Sequence, residues 1–423
     1  MPDPAPVGAP VSPAVSAEEF AALMTPLGPF GAPPRLAAGV SGGPHSLALA
    51  LLAEAWARAR GGDLLALVVD HGLRPESAAE AEAVLATLAA RGIAGRRLRL
   101  GLAPGPGMQE RARQARLAAL LAACRAEGRP WLLLGHHLAD QAETVLFRAL
   151  RGSGPAGLAG MAPARPAAEA LLLRPLLGTP PARLEAVVAA AGLAPVRDPS
   201  NRDPRFARPR LRAALADPGG EGAATAALAA AAAAFARRRR RLAGAVAQRL
   251  AAAAALQPEG HAELDLAALG QDAVAVAALG RLLALVSGRP YAPPESALAA
   301  LLRRGEGTLG GAWLRPRASR PALLAREAAG LAPPVPAARG AVWDGRFRLI
   351  GPGDPECALG ALGPAAAARL RGRAPHLPAA VLATLPAIWR HARLVAVPLL
   401  HYPAPEVSSR FATLLAPAVA GDL

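Results

Sequence analysis

Leu36-Ala37-Ala38-Gly39-Val40-Ser41-Gly42-Gly43-Pro44-His45-Ser46-Leu47-Ala48-Leu49-Ala50-Leu51-Leu52 reads as strand, tight turn and helix. A short apolar run enters a turn of small residues, and a long apolar helix follows at once. Gly42 and Gly43 allow positive φ in the turn and let backbone N–H groups come close to a ligand. The turn sits at the positive end of the helix dipole, where a phosphate is favoured, and the hydroxyls of Ser41 and Ser46 add donors. An ordinary strand-to-helix turn has the same letters, so the reading rests on what else gathers at that edge.

Working outward, residues 64–69 form a second continuous Leu/Val run, and a third and a fourth strand are read at 96–100 and 130–134. Helical stretches at 78–90 and 109–126 precede the last two. Apolar runs without alternation are what parallel strands covered on both faces look like. The fold class expected is α/β, a doubly wound parallel sheet, with ligands at the carboxyl ends of its strands. Polar residues collect at those ends: Asp70-His71-Gly72-Leu73-Arg74-Pro75-Glu76-Ser77 after the second run, and Gly135-His136-His137-Leu138-Ala139-Asp140-Gln141-Ala142-Glu143-Thr144 after the fourth. Asp140 and Glu143 are three apart on a helix and His136 precedes its first turn, so all three can face one cleft. Carboxylates beside a phosphate would hold Mg²⁺ or a substrate ammonium. Asp140 would equally serve as a helix cap.

Composition narrows the partners. The chain has 423 residues, enough for two or three domains, and 53% are hydrophobic but only 3% aromatic, so its cores are mostly Ala, Leu and Val. All 47 basic residues are Arg and the formal charge is +16. A polyanion is the natural partner, and Arg forks suit phosphate, so nucleic acid is favoured over the compositional drift of a GC-rich genome. With no Lys, the G-x-x-x-x-G-K-[ST] phosphate loop is excluded, and no G-x-G-x-x-G turn is present here. Cys124 and Cys357 stand far apart without a C-x-x-C pair, which excludes a cysteine-ligated zinc or iron–sulfur cluster. The first residues have neither a basic n-region nor an apolar core, and the stretch 223–236 is alanine ending in arginines. A cytoplasmic chain with no membrane span is expected.

The loop 41–46 resembles the S-G-G-x-D-S pyrophosphate loop of the ATP pyrophosphatases, with His45 where that superfamily has Asp. The match becomes specific with D-H-G-L-R-P-E-S at 70–77, G-H-H-x-x-D-Q-A-E-T at 135–144, R-G-S-G-x-A-G-L-A-G-M at 151–161 and R-D-P-S-N-x-D-P-R-F at 197–206. In order and spacing these resemble the tRNA(Ile)-lysidine synthetase family. Weaker echoes follow at Gly307-Thr308-Leu309-Gly310-Gly311 and Trp343-Asp344-Gly345-Arg346-Phe347.

The resemblance implies an enzyme that uses ATP to adenylate C2 of the wobble cytidine of tRNA(Ile) with a CAU anticodon. The ε-amino group of free L-lysine then displaces AMP. It places ATP, with Mg²⁺, on Ser41, Gly42, Gly43, Pro44, His45, Ser46, Asp70, His71 and Gly135. It places lysine on His136, Asp140 and Glu143, with Arg113 facing the same site. A tRNA thiolase on the same fold would want a cysteine pair that this chain lacks. The family's pattern is broken at His45, at Ala139 (usually Asp), at Leu117 (usually Tyr) and at Pro209 (usually Asn). Imidazole is a poor Mg²⁺ ligand. His45 therefore implies either weaker metal binding, in the limit a catalytically impaired tRNA-binding relative, or an imidazolium that meets the pyrophosphate directly.

Residues 1–33 read as a flexible Pro-rich lead with a short helical segment at 18–24, 34–217 as the ATP pyrophosphatase domain, 218–330 as an all-α tRNA-binding domain and 331–423 as a small mixed α+β domain. Arg205, Arg208, Arg210 and Arg212 form one basic cluster, and Arg237, Arg238 and Arg241 belong to a five-arginine run on a long helix. Both are expected phosphate-backbone contacts on tRNA. The sequence sets no resident metal site and leaves the oligomeric state open, a homodimer included.

Overall fold

Phe20 and Met24 stand one turn apart on α1 (Ala17–Met24), and both are fully buried, the spacing of a packed helix face. Ser16 caps that helix: its hydroxyl accepts from the Glu19 N–H at 3.1 Å, and its own N–H donates to the Glu19 carboxylate at 2.9 Å. Phe30 packs edge-on to Trp56 at 5.0 Å between ring centres and against Trp131 at 5.3 Å. The computed structural model describes residues 12–72, 76–101, 105, 107–196 and 207–415, and of 109 and 207–209 the backbone alone. The expected flexible lead is thus corrected from residue 12 onward. Phe20, Met24, Leu27 and Phe30 bury apolar area in the main core that a linker does not have.

The chain divides into two units, the first ending at Arg239 and the second beginning at Arg240. This break falls later than the one expected near 218. Six strands build the first unit: β1 (Arg35–Val40), β2 (Asp63–Asp70), β3 (Ala94–Arg99), β4 (Trp131–Leu134), β5 (Ala164–Pro166) and β6 (Leu171–Leu173). Their order is β3-β2-β1-β4-β6-β5, parallel except for the β5–β6 pair. α2 (Pro44–Arg58), α3 (Ser77–Ala89) and α4 (Met108–Ala126) join the first four strands. Successive residues of β1 face opposite layers. Leu36, Ala38 and Val40 share a core with Leu47 and Leu49 of α2, whereas Ala37 packs with Leu120 and Cys124 of α4. The doubly wound sheet read from the apolar runs is present. After β3 the chain returns to the far side of β1 to lay down β4, so a crevice opens at the carboxyl ends of β1 and β4.

α5 (Leu138–Leu150) leaves β4 directly, followed by α6 (Pro155–Leu158), α7 (Pro181–Ala190), α8 (Ala207–Leu215) and the long α9 (Ala223–Ala253). The motif at 151–161 braces α5. The buried Gln141 amide donates to the Met161 carbonyl at 3.1 Å and accepts from its N–H at 2.8 Å, and Arg148 donates to the carbonyls of Gly157 and Gly160. Gly160 has φ +63°, and a Cβ there would lie 2.7 Å from Gln141 Oε1, so glycine is required.

The second unit adds an element the sequence reading did not foresee. Beside α10 (Leu266–Leu269), α11 (Ala273–Ser287) and α12 (Glu295–Arg304), the helical stretch holds an antiparallel sheet. Its strands are β7 (Ala254–Leu256), β8 (Ala262–Leu264), β9 (Gly307–Leu309), β10 (Ala312–Arg317) and β11 (Arg320–Arg326), in the order β7-β8-β11-β10-β9. Leu264, Leu279, Leu283, Leu301, Leu314 and Leu324 form its core with the helices. Two short antiparallel sheets follow: β12 (Val335–Ala338), β15 (Gly353–Ala361), β16 (Pro386–Arg390) and β17 (Arg393–Ala396) in the order β12-β15-β16-β17, and β13 (Val342–Trp343), β14 (Phe347–Leu349) and β18 (Thr413–Leu415) in the order β13-β14-β18. The echo at 343–347 is a buried ionic hub. Asp344 accepts from Arg326 Nη2 at 2.9 Å and Nε at 3.0 Å, and from Arg346 Nε at 2.7 Å. Each unit holds one buried free cysteine, Cys124 in the first and Cys357 in the second. No helix among the described residues is long and apolar enough to cross a membrane.

Candidate active site

The loop after β1 is shaped by its own hydroxyls. Ser46 Oγ donates to the Gly43 carbonyl at 2.9 Å and accepts from the Ser41 N–H at 3.1 Å, with the Ser41 hydroxyl 3.2 Å away. Gly42 has φ +82°, and a Cβ there would come within 2.5 Å of Val84. Gly43 is the N-cap of α2 and has no side chain to satisfy the first turn, while Pro44 at the first helical position has no N–H to satisfy. The first turn of α2 is therefore left without a side-chain cap on its backbone N–H groups. Gly135, expected at the nucleotide, lies against the same turn from β4. A Cβ on it would be 3.1 Å from the His45 carbonyl oxygen.

His45 opens α2 facing His137, with the rings edge to face at 4.1 Å, and its Nε2 lies 3.7 Å from Glu185 on α7. Burial, and then the neighbouring His137, push its pKa down to about 3. With these neighbours the ring is neutral, and an imidazolium there would need the added negative charge of a pyrophosphate. His137 is also a site residue the sequence reading missed. It caps α5, accepting from the Asp140 N–H through Nδ1 at 3.4 Å, while its own N–H donates to Asp140 Oδ2 at 3.2 Å. Its signal was present in the H-x-x-D spacing, a capping box with imidazole in place of hydroxyl.

Asp140 and Glu143 do share one side of α5 near His136 and His137. Burial alone would raise the Asp140 carboxyl, but His137, His136, the His137 N–H and Arg212 hold it below the usual carboxylate range. The Glu143 side chain is 2% exposed and accepts from Arg212 Nε at 2.7 Å, and Arg212 Nη2 lies 3.9 Å from Asp140. Arg212 was expected on the tRNA backbone, yet from α8 it turns to these carboxylates. Asp70, expected beside the nucleotide, bonds its own turn instead. The Ser77 hydroxyl at 2.7 Å and the Gly72 N–H at 3.0 Å hold its carboxyl below the usual range. His71 is half-buried at the end of that strand, and Arg113 is exposed on α4. Ala139, where the family has a carboxylate, is buried, and a Cβ on Gly220 would lie 3.6 Å from it, so the position is packed.

Arg210, Arg237, Arg238 and Arg241 are exposed. Arg205 and the motif at 197–206 lie outside the described residues, as do the side chains of Arg208 and Pro209. Among the described residues no three His, Cys, Asp or Glu side chains converge to hold a metal ion, and position 45 presents an imidazole.

A family profile described as a PP-loop domain matches residues 14–218. A tRNA(Ile)-lysidine synthase of Novosphingobium aromaticivorans is 50% identical over 204 residues, covering 48% of this chain and 61% of that protein. One of a Bradyrhizobium strain is 48% identical over 212 residues, covering 49% and 58%. One of Mesorhizobium japonicum is 40% identical over 354 residues, covering 79% and 76%. The matched part spans about six tenths of the length of the first two relatives and about three quarters of the third. Strand order, loop and relatives agree: the chain belongs to the tRNA(Ile)-lysidine synthase family.

Proposed function

We propose that this protein is a cytoplasmic ligase that forms lysidine at the wobble cytidine of tRNA(Ile) with a CAU anticodon, from free L-lysine and MgATP. The observation that carries the proposal is the adjacency of two unlike subsites at one sheet edge. The turn at residues 41–46 favours phosphate, and the Asp140–Glu143 pair, less than one helical turn apart on α5, favours a cation. In the first step the O2 oxygen of cytidine bonds to the α-phosphorus and pyrophosphate leaves. The loop's backbone donors and the α2 dipole stabilise the charge that moves onto the leaving group. In the second step the lysine amine, having shed its ammonium proton, bonds to C2, and AMP leaves with the oxygen. Asp140 and Glu143 hold the ammonium before that proton is lost, and the buried setting strengthens their hold. Phosphates of the tRNA fit the exposed guanidinium groups of Arg210, Arg237 and Arg238 on the first unit. The alternative of an impaired relative, raised by His45, has no support among relatives that carry the synthase name.

The test is ATP-dependent transfer of labelled lysine to tRNA(Ile) with a CAU anticodon, comparing the natural chain with His45→Asp. Incorporation matched by AMP release is expected from the natural chain. Binding of the tRNA without incorporation in either protein would overturn the proposal.

A further inference from the structure

Arg212 raises a question that the proposed chemistry leaves open, because it lies where a second cation has to go. Its guanidinium bonds Glu143 Oε1 at 2.7 Å and reaches toward Asp140 at 3.9 Å, while remaining 44% exposed itself. The two partners are held very differently. The carboxylates sit on α5, which is fixed by its capping box and by the Gln141–Met161 pair. Arg212 sits on α8, whose residues 210–215 include none that is buried. A charge as enclosed as that of Glu143 is strongly destabilising without a counter-charge, so some cation belongs there at every stage. A partly exposed ion pair is weak enough for one cation to be exchanged for another.

We infer that Arg212 is a place-holder for the substrate's ammonium: it neutralises Glu143 and Asp140 between turnovers and leaves when a primary alkylammonium arrives. This rests on the reading of that pair as the lysine subsite. The exchange conserves charge, one cation out and one in, so the pocket stays neutralised. It also makes a cationic side-chain end the condition for entry, since a neutral side chain of equal length cannot replace the guanidinium. Arg212 is on this account a positioning residue, and its effect is on lysine affinity.

The test measures lysine binding by calorimetry, and the KM and kcat for lysine, in the natural chain, Arg212→Gln and Arg212→Lys. Arg212→Gln keeps a hydrogen-bond donor but no competing charge. It is expected to bind lysine roughly tenfold more tightly, the scale of one partly exposed charge-assisted contact. KM should fall with it, and Arg212→Lys should stay close to the natural chain. Lysine binding by the natural chain with no gain in Arg212→Gln would overturn the place-holder alone. No lysine binding by any of the three, with ATP still bound, would overturn the lysine subsite as well. Should Arg212→Gln fail to fold, amide hydrogen exchange of residues 207–215 in the natural chain decides. Faster exchange on adding lysine is expected, and unchanged or slower exchange would overturn the inference.

Discussion

At position 45 an imidazole occupies the first turn of α2, and its neutrality has a measurable cost in acid. The unfolded chain takes up a proton there near pH 6.5, but the folded chain does so only at about pH 3. Between those values the unfolded state binds the extra proton, so stability falls as pH drops from 6.5 toward 3. At pH 5 the loss from this residue is about 2 kcal/mol. Urea midpoints compared at pH 7.5 and pH 5 should therefore separate in the natural chain and separate less in His45→Gln. An equal separation in both would show that His45 carries no such burden. Neutral, the ring still carries one N–H that could be donated to a phosphate oxygen.

α5 is the element on which the site depends, and its brace can be tested apart from its carboxylates. Gly160→Ala places a methyl group 2.7 Å from Gln141 Oε1 on a residue with φ +63°. It should cost about 1–3 kcal/mol of stability and raise the lysine KM, because the helix presenting Asp140 and Glu143 shifts. An unchanged melting temperature would mean that the 151–161 turn adjusts freely. The sequence showed this element and its sheet well. Long Leu/Val runs at 64–69 and 130–134 fall on β2 and β4, and the stretch 78–90 on α3, because buried parallel strands and their helices leave uninterrupted apolar signals. It did not show the lead as core, since Phe20, Met24, Leu27 and Phe30 are too few for a pattern among prolines. The five-stranded sheet escaped notice because β7, β8 and β9 are three residues long and alanine or glycine rich. In the site, residue types were legible and directions were not. Asp70 and Arg212 both carry plausible letters, and only folding shows the one turned to Ser77 and the other to Glu143.

On the scale of the whole molecule, the two units have separate cores and separate weak points. In the second, Asp344 holds Arg326 and Arg346, the latter with no exposed surface. Asp344→Asn leaves two enclosed guanidinium groups without their counter-charge and should destabilise that unit by about 3–5 kcal/mol. The first unit does not contain this hub and should hold. The two buried thiols distinguish the units. Cys124 and Cys357 are 1% and 3% exposed, one inside each unit, and burial pushes the Cys124 thiol up to about 11. A folded chain should thus be inert to alkylating reagents, and each thiol becomes a clock that starts only when its own unit opens. In Asp344→Asn the label should reach Cys357 sooner while Cys124 keeps the natural chain's time, and equal acceleration at both would mean that the units open together. Two buried sulfur atoms let a single mass spectrum time the opening of each half of the protein.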